Sequence, residues 1–233
     1  MDTKKTSIAQ IFSIILFWLT MLSFISYAIY AIIMFARGKF ESFKLLKSLG
    51  AIAVTLVPFL FGIIFKRKLP VAITISYYLF LIISVLLGAL LEIYSSDSFW
   101  NKIVHGLSGV IFSMFALVLL RGTIYKNGAA ANKTFVFFFV LCFGIAVGTV
   151  WEFWEFFIDG VCGSNLQQWA DSMGTALIGR DALVDTMFDL ISDTTGTLIT
   201  AMTSVIWLKF NPSYLDAFKL EKTKKFEGET EIN

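Results

Sequence analysis

Hydrophobic residues in this chain are gathered into six long runs, separated by short segments rich in charged and turn-forming residues. Each run is close to or longer than the roughly 20 residues that cross the ~30 Å hydrocarbon core of a bilayer. The pattern predicts an all-α fold, a polytopic transmembrane helical bundle in a single domain over residues 1–210. Its six spans are predicted at about 8–36, 46–65, 71–93, 103–120, 134–158 and 183–208.

The composition agrees with a membrane protein. Of the 233 residues, 57% are hydrophobic and 15% are charged, whereas soluble domains contain about 25% charged residues. No basic segment with interleaved aromatic residues predicts a nucleic-acid partner. Cys142 and Cys162 are predicted to lie far apart along the membrane normal, so no disulfide is expected between them.

The distribution of lysine and arginine predicts the orientation, because cytoplasmic loops carry an excess of both residues. With the N-terminus inside, 13 of the 19 basic residues fall in cytoplasmic segments. Both termini are therefore predicted in the cytoplasm (N-in/C-in), and residues 211–233 are predicted to form a polar cytoplasmic tail. The first run has no clear cleavage site and is predicted to be a retained span.

Acidic residues occur at helical spacing in the last two runs and immediately beside them. The first stripe consists of Glu152, Glu155 and Asp159. The second stripe consists of Asp181, Asp185, Asp189 and Asp193. Spacings of three and four residues place the carboxylates of each stripe on one face of a helix. A charged side chain at the bilayer centre costs about 2.5–3.5 kcal/mol, so a bound cation or shared protons are expected to neutralise the stripes.

Counting about 20 residues from each predicted cytoplasmic boundary estimates the depth of these acids. The counts place Glu92, His105, the Glu152 stripe and the Asp189 stripe at one level, near the outer headgroup boundary. The same level is predicted for Trp100, Trp151, Trp154 and Trp169, and tryptophan is enriched there. The agreement predicts that the histidine and the two stripes converge in one pocket.

The predicted pocket has the chemistry of a divalent metal site. Oxygen ligands suit Mg²⁺, Ca²⁺ or Mn²⁺, and a histidine ligand shifts the preference toward Zn²⁺ or Mn²⁺. The predicted ligands are Glu152, Glu155, Asp159, Asp185, Asp189, Asp193 and His105. His105 and Glu152 are predicted to be catalytic, with His105 as a base or a ligand. Arg180 is predicted to bind a phosphate group; the alternative is a pair with a neighbouring acid.

Three segments resemble the YjdF-like family of bacterial inner-membrane proteins. They are WNKIVHGLSG, WEFWEFFID and DTMFDLISDTTGTLI. The chain has Asn101 where the family pattern has an aspartate before the Lys-x-x-His element. That element is also similar, more distantly, to VanZ-like membrane proteins. The resemblance implies a multi-pass protein of the bacterial cytoplasmic (inner) membrane, and it supplies no reaction.

Three classes of function fit these residues. The leading hypothesis is a metal-dependent enzyme that acts on a lipid or lipid-linked phosphate, because a site at headgroup depth meets such molecules without a channel. The second is a proton- or cation-coupled transporter, since carboxylates and a histidine also form relays. The third is a non-catalytic membrane module that binds an unidentified ligand. Membrane lipids are the expected partners in each case.

Overall fold

The structure is a computed structural model that describes residues 7–39, 42–91, 93–96, 98–125 and 130–222. The chain separates into two compact units. The first unit comprises Met1–Asp97 and Ala217–Asn233, and the second comprises Ser98–Asp216. Nearly all of the regular structure is helical, so the predicted all-α class is confirmed.

The first unit is built from helices that pack around α1. Its helices are α1 (Ile8–Ala36), α2 (Ser42–Thr55), α3 (Val57–Ile64), α4 (Val71–Leu81), a π-helical continuation of α4 (Ile82–Leu90) and α5 (Ile93–Ser96). Two short strands, β1 (Arg67–Lys68) and β2 (Glu221–Lys222), pair antiparallel. The buried residues of its core are Leu16, Phe24, Ala51, Tyr78, Leu81 and Leu90.

The second hydrophobic run is bent, whereas the sequence predicts one continuous span over 46–65. Leu45–Thr55 and Val57–Ile64 meet at an angle of 47°. Pro58 lies in the first turn of α3, and it has no N–H to donate to the carbonyl of Val54, four residues earlier. The hydroxyl of Tyr77 donates to that carbonyl instead, at 2.6 Å. The bend therefore follows from the proline, and a tyrosine of α4 satisfies the freed acceptor.

The second unit consists of three long helices, α6 (Ser98–Thr123), α7 (Lys133–Cys162) and α8 (Val184–Phe210). Asn132 begins α7, where its side chain accepts the Phe135 N–H at 3.1 Å. Gly163 ends α7 with a left-handed φ of 62°, a conformation that glycine adopts without strain. Short 3₁₀ turns over Asp181–Leu183 and Tyr214–Phe218 lie on either side of α8.

The three helices pack in a fixed register, with α6 and α8 parallel and α7 antiparallel to both. Contacts between α6 and α8 join residues 88 positions apart, namely Asn101 with Asp189, His105 with Asp193, and Gly109 with Thr197. In α7 the order is reversed, because Gly148 faces Asp193 and Gly144 faces Thr197. The step of four residues keeps each set on one helix face. Polar residues of the three helices therefore meet at successive levels one helical turn apart, and we call this arrangement the polar stack.

Close approach of α6 and α8 depends on glycine. A Cβ atom on Gly196 would overlap the backbone carbonyl oxygen of Gly106. Small residues at membrane helix interfaces allow this kind of backbone contact. The contact brings the polar side chains of the two helices within hydrogen-bonding distance.

Four helical stretches in the described residues are long and apolar enough to cross a membrane: Ile8–Ala36, Val71–Leu90, Phe99–Thr123 and Lys133–Cys162. The bent pair of α2 and α3 makes a possible fifth. The helix α8 is long enough, with 27 residues, but it is not among these stretches. Its aspartates and many threonines lower its hydropathy. The sixth span and the orientation stay predictions. Glu92 and residues 223–233 of the predicted tail lie outside the described residues.

Candidate functional site

His105 lies at the centre of the polar stack and is held from one side by Asp193. The Nδ1 atom of His105 is 3.1 Å from Asp193 Oδ2. Ser108, one turn further along α6, donates its hydroxyl to Asp193 Oδ1 at 2.5 Å. Asp193 is only 2% exposed, and its two oxygens contact the imidazole and the serine hydroxyl. The other ring nitrogen, Nε2, lies 3.6 Å from Asp189 Oδ2.

Asp189 is fully buried and lies one helical turn from Asp193. Asn101 donates its amide to Asp189 Oδ2 at 2.9 Å, and the Lys102 ammonium contacts Asp189 Oδ1 at 2.9 Å. The same ammonium forms a short ion pair with Asp185 Oδ1. Lys102 therefore neutralises part of the charge of both aspartates, and the other oxygen of Asp185 is buried without a hydrogen-bond partner.

Glu152 and Glu155 bring α7 into the same cluster, and both are buried. Gln167 donates to Glu152 Oε2 at 3.2 Å, and Trp151 donates its indole N–H to Glu155 Oε1 at 2.9 Å. The remaining oxygens, Glu152 Oε1 and Glu155 Oε2, are buried without a hydrogen-bond partner. An unpaired buried acceptor carries a desolvation cost of about 1–3 kcal/mol, and more when it is charged.

Asp159, one of the predicted ligands, accepts three hydrogen bonds from the loop that follows α7. Its Oδ1 accepts the Ser164 hydroxyl at 2.6 Å and the Leu166 N–H at 2.7 Å. Its Oδ2 accepts the Gln167 N–H at 3.0 Å. These bonds fix Gln167, whose amide also donates to Thr186 at 3.0 Å. The loop is thereby attached to α7 and to the start of α8, next to the cluster.

Arg180 and Asp181 lie outside the buried cluster. Both side chains are exposed, at the end of the loop and in the 3₁₀ turn before α8. Asp181 is exposed, whereas Asp159 at the end of the other stripe is only 8% exposed. No hydrogen bond or ion pair joins either side chain to the cluster within the described part of the chain.

The structure brings together five carboxylates and two basic side chains, which we call the buried cluster. Its members are Glu152, Glu155, Asp185, Asp189, Asp193, Lys102 and His105. Within it, His105, Glu152 and Asp189 offer one ligand atom each, and these atoms all lie within 4.8 Å of one another. Five acids against two bases leave excess negative charge in a buried site, which a cation or bound protons can neutralise.

Lys102 is a member of the buried cluster for which the sequence predicts no role. The available signal was its position three residues before His105, which places both side chains on neighbouring parts of one helix surface. Asn101, four residues before His105, and Ser108, three residues after it, lie on the same helix face by this spacing. Their partners in α8 depend on the register between helices, which the sequence of one helix does not carry.

The apolar helices of both units and the polar stack of α6, α7 and α8 define an all-α, multi-pass membrane protein. The chain belongs to the family described as "Predicted membrane protein (DUF2238)", which it matches over residues 15–210. The matched segment includes every residue of the buried cluster. No curated protein and no solved structure matches this chain.

Proposed function

We propose that the second unit binds a divalent metal ion between His105, Glu152 and Asp189. The orientation of His105 is the observation that carries this proposal. When the Nδ1–H donates to Asp193 and the other ring nitrogen is unprotonated, the Nε2 lone pair faces the Asp189 carboxylate, and a metal ion or a proton between them removes their repulsion. A histidine held by a carboxylate through its other nitrogen is the common arrangement of metal-ligating histidines.

The three ligand atoms suit a small ion. Two ligand atoms at about 2.1 Å from a tetrahedral Zn²⁺ lie about 3.4 Å apart, so atoms within 4.8 Å of one another would move closer when they bind one ion. One imidazole and two carboxylates favour Zn²⁺ or Mn²⁺ over Ca²⁺. Three protein ligands leave at least one position open for water or a phosphate oxygen. Asp193 would then orient the imidazole of His105, and Asp185 would balance the charge of Lys102.

We further propose that this centre hydrolyses a lipid or lipid-linked phosphate at the outer headgroup level. The metal ion would neutralise phosphate oxygens and lower the pKa of a bound water. The unpartnered Oε2 of Glu155 is available to accept the proton as the water oxygen attacks phosphorus, and to return it to the leaving ester oxygen as the bond between that oxygen and phosphorus breaks. Arg180, exposed at the end of the loop, would contact the phosphate from the aqueous side.

The membrane arrangement belongs to the same proposal. The parallel register of α6 and α8, with α7 antiparallel, is what three consecutive spans require, and it supports α8 as a sixth span. We therefore propose six spans in one membrane domain over residues 1–210 and both termini in the cytoplasm. The resemblance of the three motifs to YjdF-like proteins supports a bacterial inner membrane.

Thermal unfolding in detergent tests the metal site. The midpoint of wild-type protein is measured in EDTA and then with Mn²⁺, Zn²⁺, Mg²⁺ or Ca²⁺. Binding to the folded state stabilises it by about 2.7 kcal/mol at 100 times the Kd, so the midpoint should rise. The rise should vanish in Asp189→Asn and persist in Asp181→Asn, which changes an exposed acid beside the same helix. An equal midpoint with every ion contradicts the proposal.

Assays of phosphate release and ion uptake then distinguish an enzyme, a transporter and a non-catalytic module that share this metal site. Turnover of lipid-phosphate substrates that requires the metal and is lost in Glu155→Gln supports the enzyme. Uptake of the ion into proteoliposomes without turnover supports a cation-coupled transporter, which the excess of buried carboxylates also favours. Binding without turnover or uptake supports a non-catalytic module.

A further inference from the structure

A groove follows the surface of the second unit between α6 and α8. Its volume is about 430 Å³. Gly106 and Gly196 line it where the two backbones touch, and Leu107, Val110 and Ile199 are among its apolar residues. From Phe99 to Val110 it extends along α6 for about 16 Å at 1.5 Å per residue. That length is about half of the ~30 Å hydrocarbon thickness, the depth of one lipid leaflet.

Lys102 lies at one end of this groove, and it connects the groove to the buried cluster. Its side chain is 20% exposed, while its ammonium contacts Asp189 Oδ1 at 2.9 Å. The groove is therefore apolar along most of its length, and Lys102 is the one charged residue among the described residues that line it, at the end that adjoins the proposed metal ligands. A phospholipid is complementary to this groove, because its acyl chain is apolar and its phosphate is anionic.

We propose that the groove binds one acyl chain of an anionic phospholipid of the surrounding leaflet, with the lipid phosphate at Lys102. The inference rests on the proposed function, because a metal ion on Asp189 would share that carboxylate's charge and release one N–H of the ammonium to donate to phosphate, while the ion pair with Asp185 remains. The lipid then enters the site sideways between α6 and α8, and its phosphate arrives beside the ligands.

Photo-cross-linking tests the groove directly. The protein is placed in nanodiscs of phosphatidylcholine and phosphatidylglycerol that contain a trace of phosphatidylglycerol with a photoreactive acyl chain. Labelled peptides are identified by mass spectrometry. We expect the label on α6 and α8 around Leu107, Val110 and Thr195, and weaker labelling when photoreactive phosphatidylcholine replaces the anionic probe.

Two variants that fill the groove are compared with a matched control. Thr195→Trp and Leu107→Trp should lower groove labelling about tenfold, which corresponds to about 1.4 kcal/mol of binding free energy. Thr203→Trp is the control, because Thr195 and Thr203 are both exposed on α8 and both donate to the carbonyl four residues earlier. It should leave groove labelling unchanged.

The outcomes are distinguishable from failure of the metal site, because the metal-dependent rise of the unfolding midpoint is measured on the same samples. A normal metal response together with labelling that is spread evenly over all helices, or is insensitive to both filling variants, overturns the groove proposal. Cross-links from the groove to a second copy of the chain overturn it as well, since they show a protein occupant. Loss of the metal response in wild type contradicts the proposed function instead.

Discussion

Three aspartates on one face of α8 have three different environments. Asp185 pairs with Lys102, Asp189 lies between Lys102 and His105, and Asp193 accepts from His105 and Ser108. The partners, more than the residue type, therefore distinguish the three carboxylates. Asp189 is the aspartate that faces the imidazole nitrogen left open by Asp193, whereas Asp185 is the one that keeps an oxygen without a hydrogen-bond partner.

Replacing Lys102 by methionine should destabilise the protein in EDTA. The change removes the ammonium that balances Asp185 and Asp189, both of which are buried. Breaking such a pair costs about 3 kcal/mol, the low end of the range for buried pairs because Lys102 is partly exposed. Added Mn²⁺ should restore part of the lost stability, because the bound metal ion supplies positive charge in place of the Lys102 ammonium.

The measurement is the unfolding midpoint of Lys102→Met with and without Mn²⁺. Lys133→Met serves as a control, because it removes a lysine from an exposed position at the start of α7. An unchanged midpoint for Lys102→Met in EDTA would contradict this prediction, because it would mean that the charges of Asp185 and Asp189 do not need the ammonium for neutralisation.

Helical spacing was sufficient to identify most of the cluster from the sequence. The intervals of three and four residues placed the acids of each stripe on one face, and the depth counts placed His105 level with them. Spacing could not separate the environment of Asp159 from that of Asp189, because both fit the same periodicity. That difference comes from the loop, whose backbone N–H groups at Leu166 and Gln167 turn back onto Asp159.

Gly196→Ala should separate α6 from α8. Its new Cβ would overlap the backbone oxygen of Gly106, and backbone atoms cannot move aside as a flexible side chain can. Overpacking of this kind costs about 1–3 kcal/mol. The shift should also weaken metal binding, since Asn101 and Lys102 reach Asp189 only across this contact.

Gly160→Ala is the matched control for that change. Gly160 is also helical, and a Cβ there meets nothing within 4 Å. Replacing a helical glycine by alanine in open space stabilises by about 0.5–1 kcal/mol. Unfolding midpoints of the two variants should therefore move in opposite directions, and a neutral Gly196→Ala would show that the helix contact is not tight.

The loop after α7 should loosen when Asp159 is replaced by alanine. Three donors, on Ser164, Leu166 and Gln167, lose their acceptor. Loss of about 1.4 kcal/mol in local stability gives about tenfold faster amide hydrogen exchange. Exchange at Leu166 and Gln167 measures the effect, with Asp181→Ala as a control at an exposed acid.

The same variant tests whether Asp159 is a metal ligand. If it only anchors the loop, Asp159→Ala keeps the metal-dependent rise of the unfolding midpoint. Loss of that rise, with α7 and α8 still folded by circular dichroism, would return Asp159 to the ligand set that the sequence predicts.

The elements themselves were predictable where hydrophobicity alone determines them. The first run, about 8–36, coincides with α1 (Ile8–Ala36). The run over 46–65 is divided because Pro58 removes one backbone donor, and its hydrophobic pattern carries no sign of the 47° bend. Similarly, hydrophobicity does not distinguish the π-helical turns over Ile82–Leu90 from an α-helix.

At the scale of the whole molecule, the native cysteines test the orientation. Cys162 is exposed at the end of α7, where six spans with both termini inside place it outside the cell. A membrane-impermeant maleimide should therefore label the Cys142→Ser variant in intact spheroplasts. In a cysteine-free background, Ser213→Cys should react only after permeabilisation. The reverse pattern would contradict the N-in/C-in arrangement.

The most direct test of the metal centre is the metal content of the purified protein. Wild-type protein and the variants Asp189→Asn and Asp181→Asn are equilibrated with Mn²⁺ or Zn²⁺, passed through a desalting column and assayed by elemental analysis. With His105, Glu152 and Asp189 as ligands, we expect about one ion per chain in wild type and Asp181→Asn, and loss of the ion in Asp189→Asn. Metal-free wild-type protein, or equal metal content in all three, would contradict the assignment.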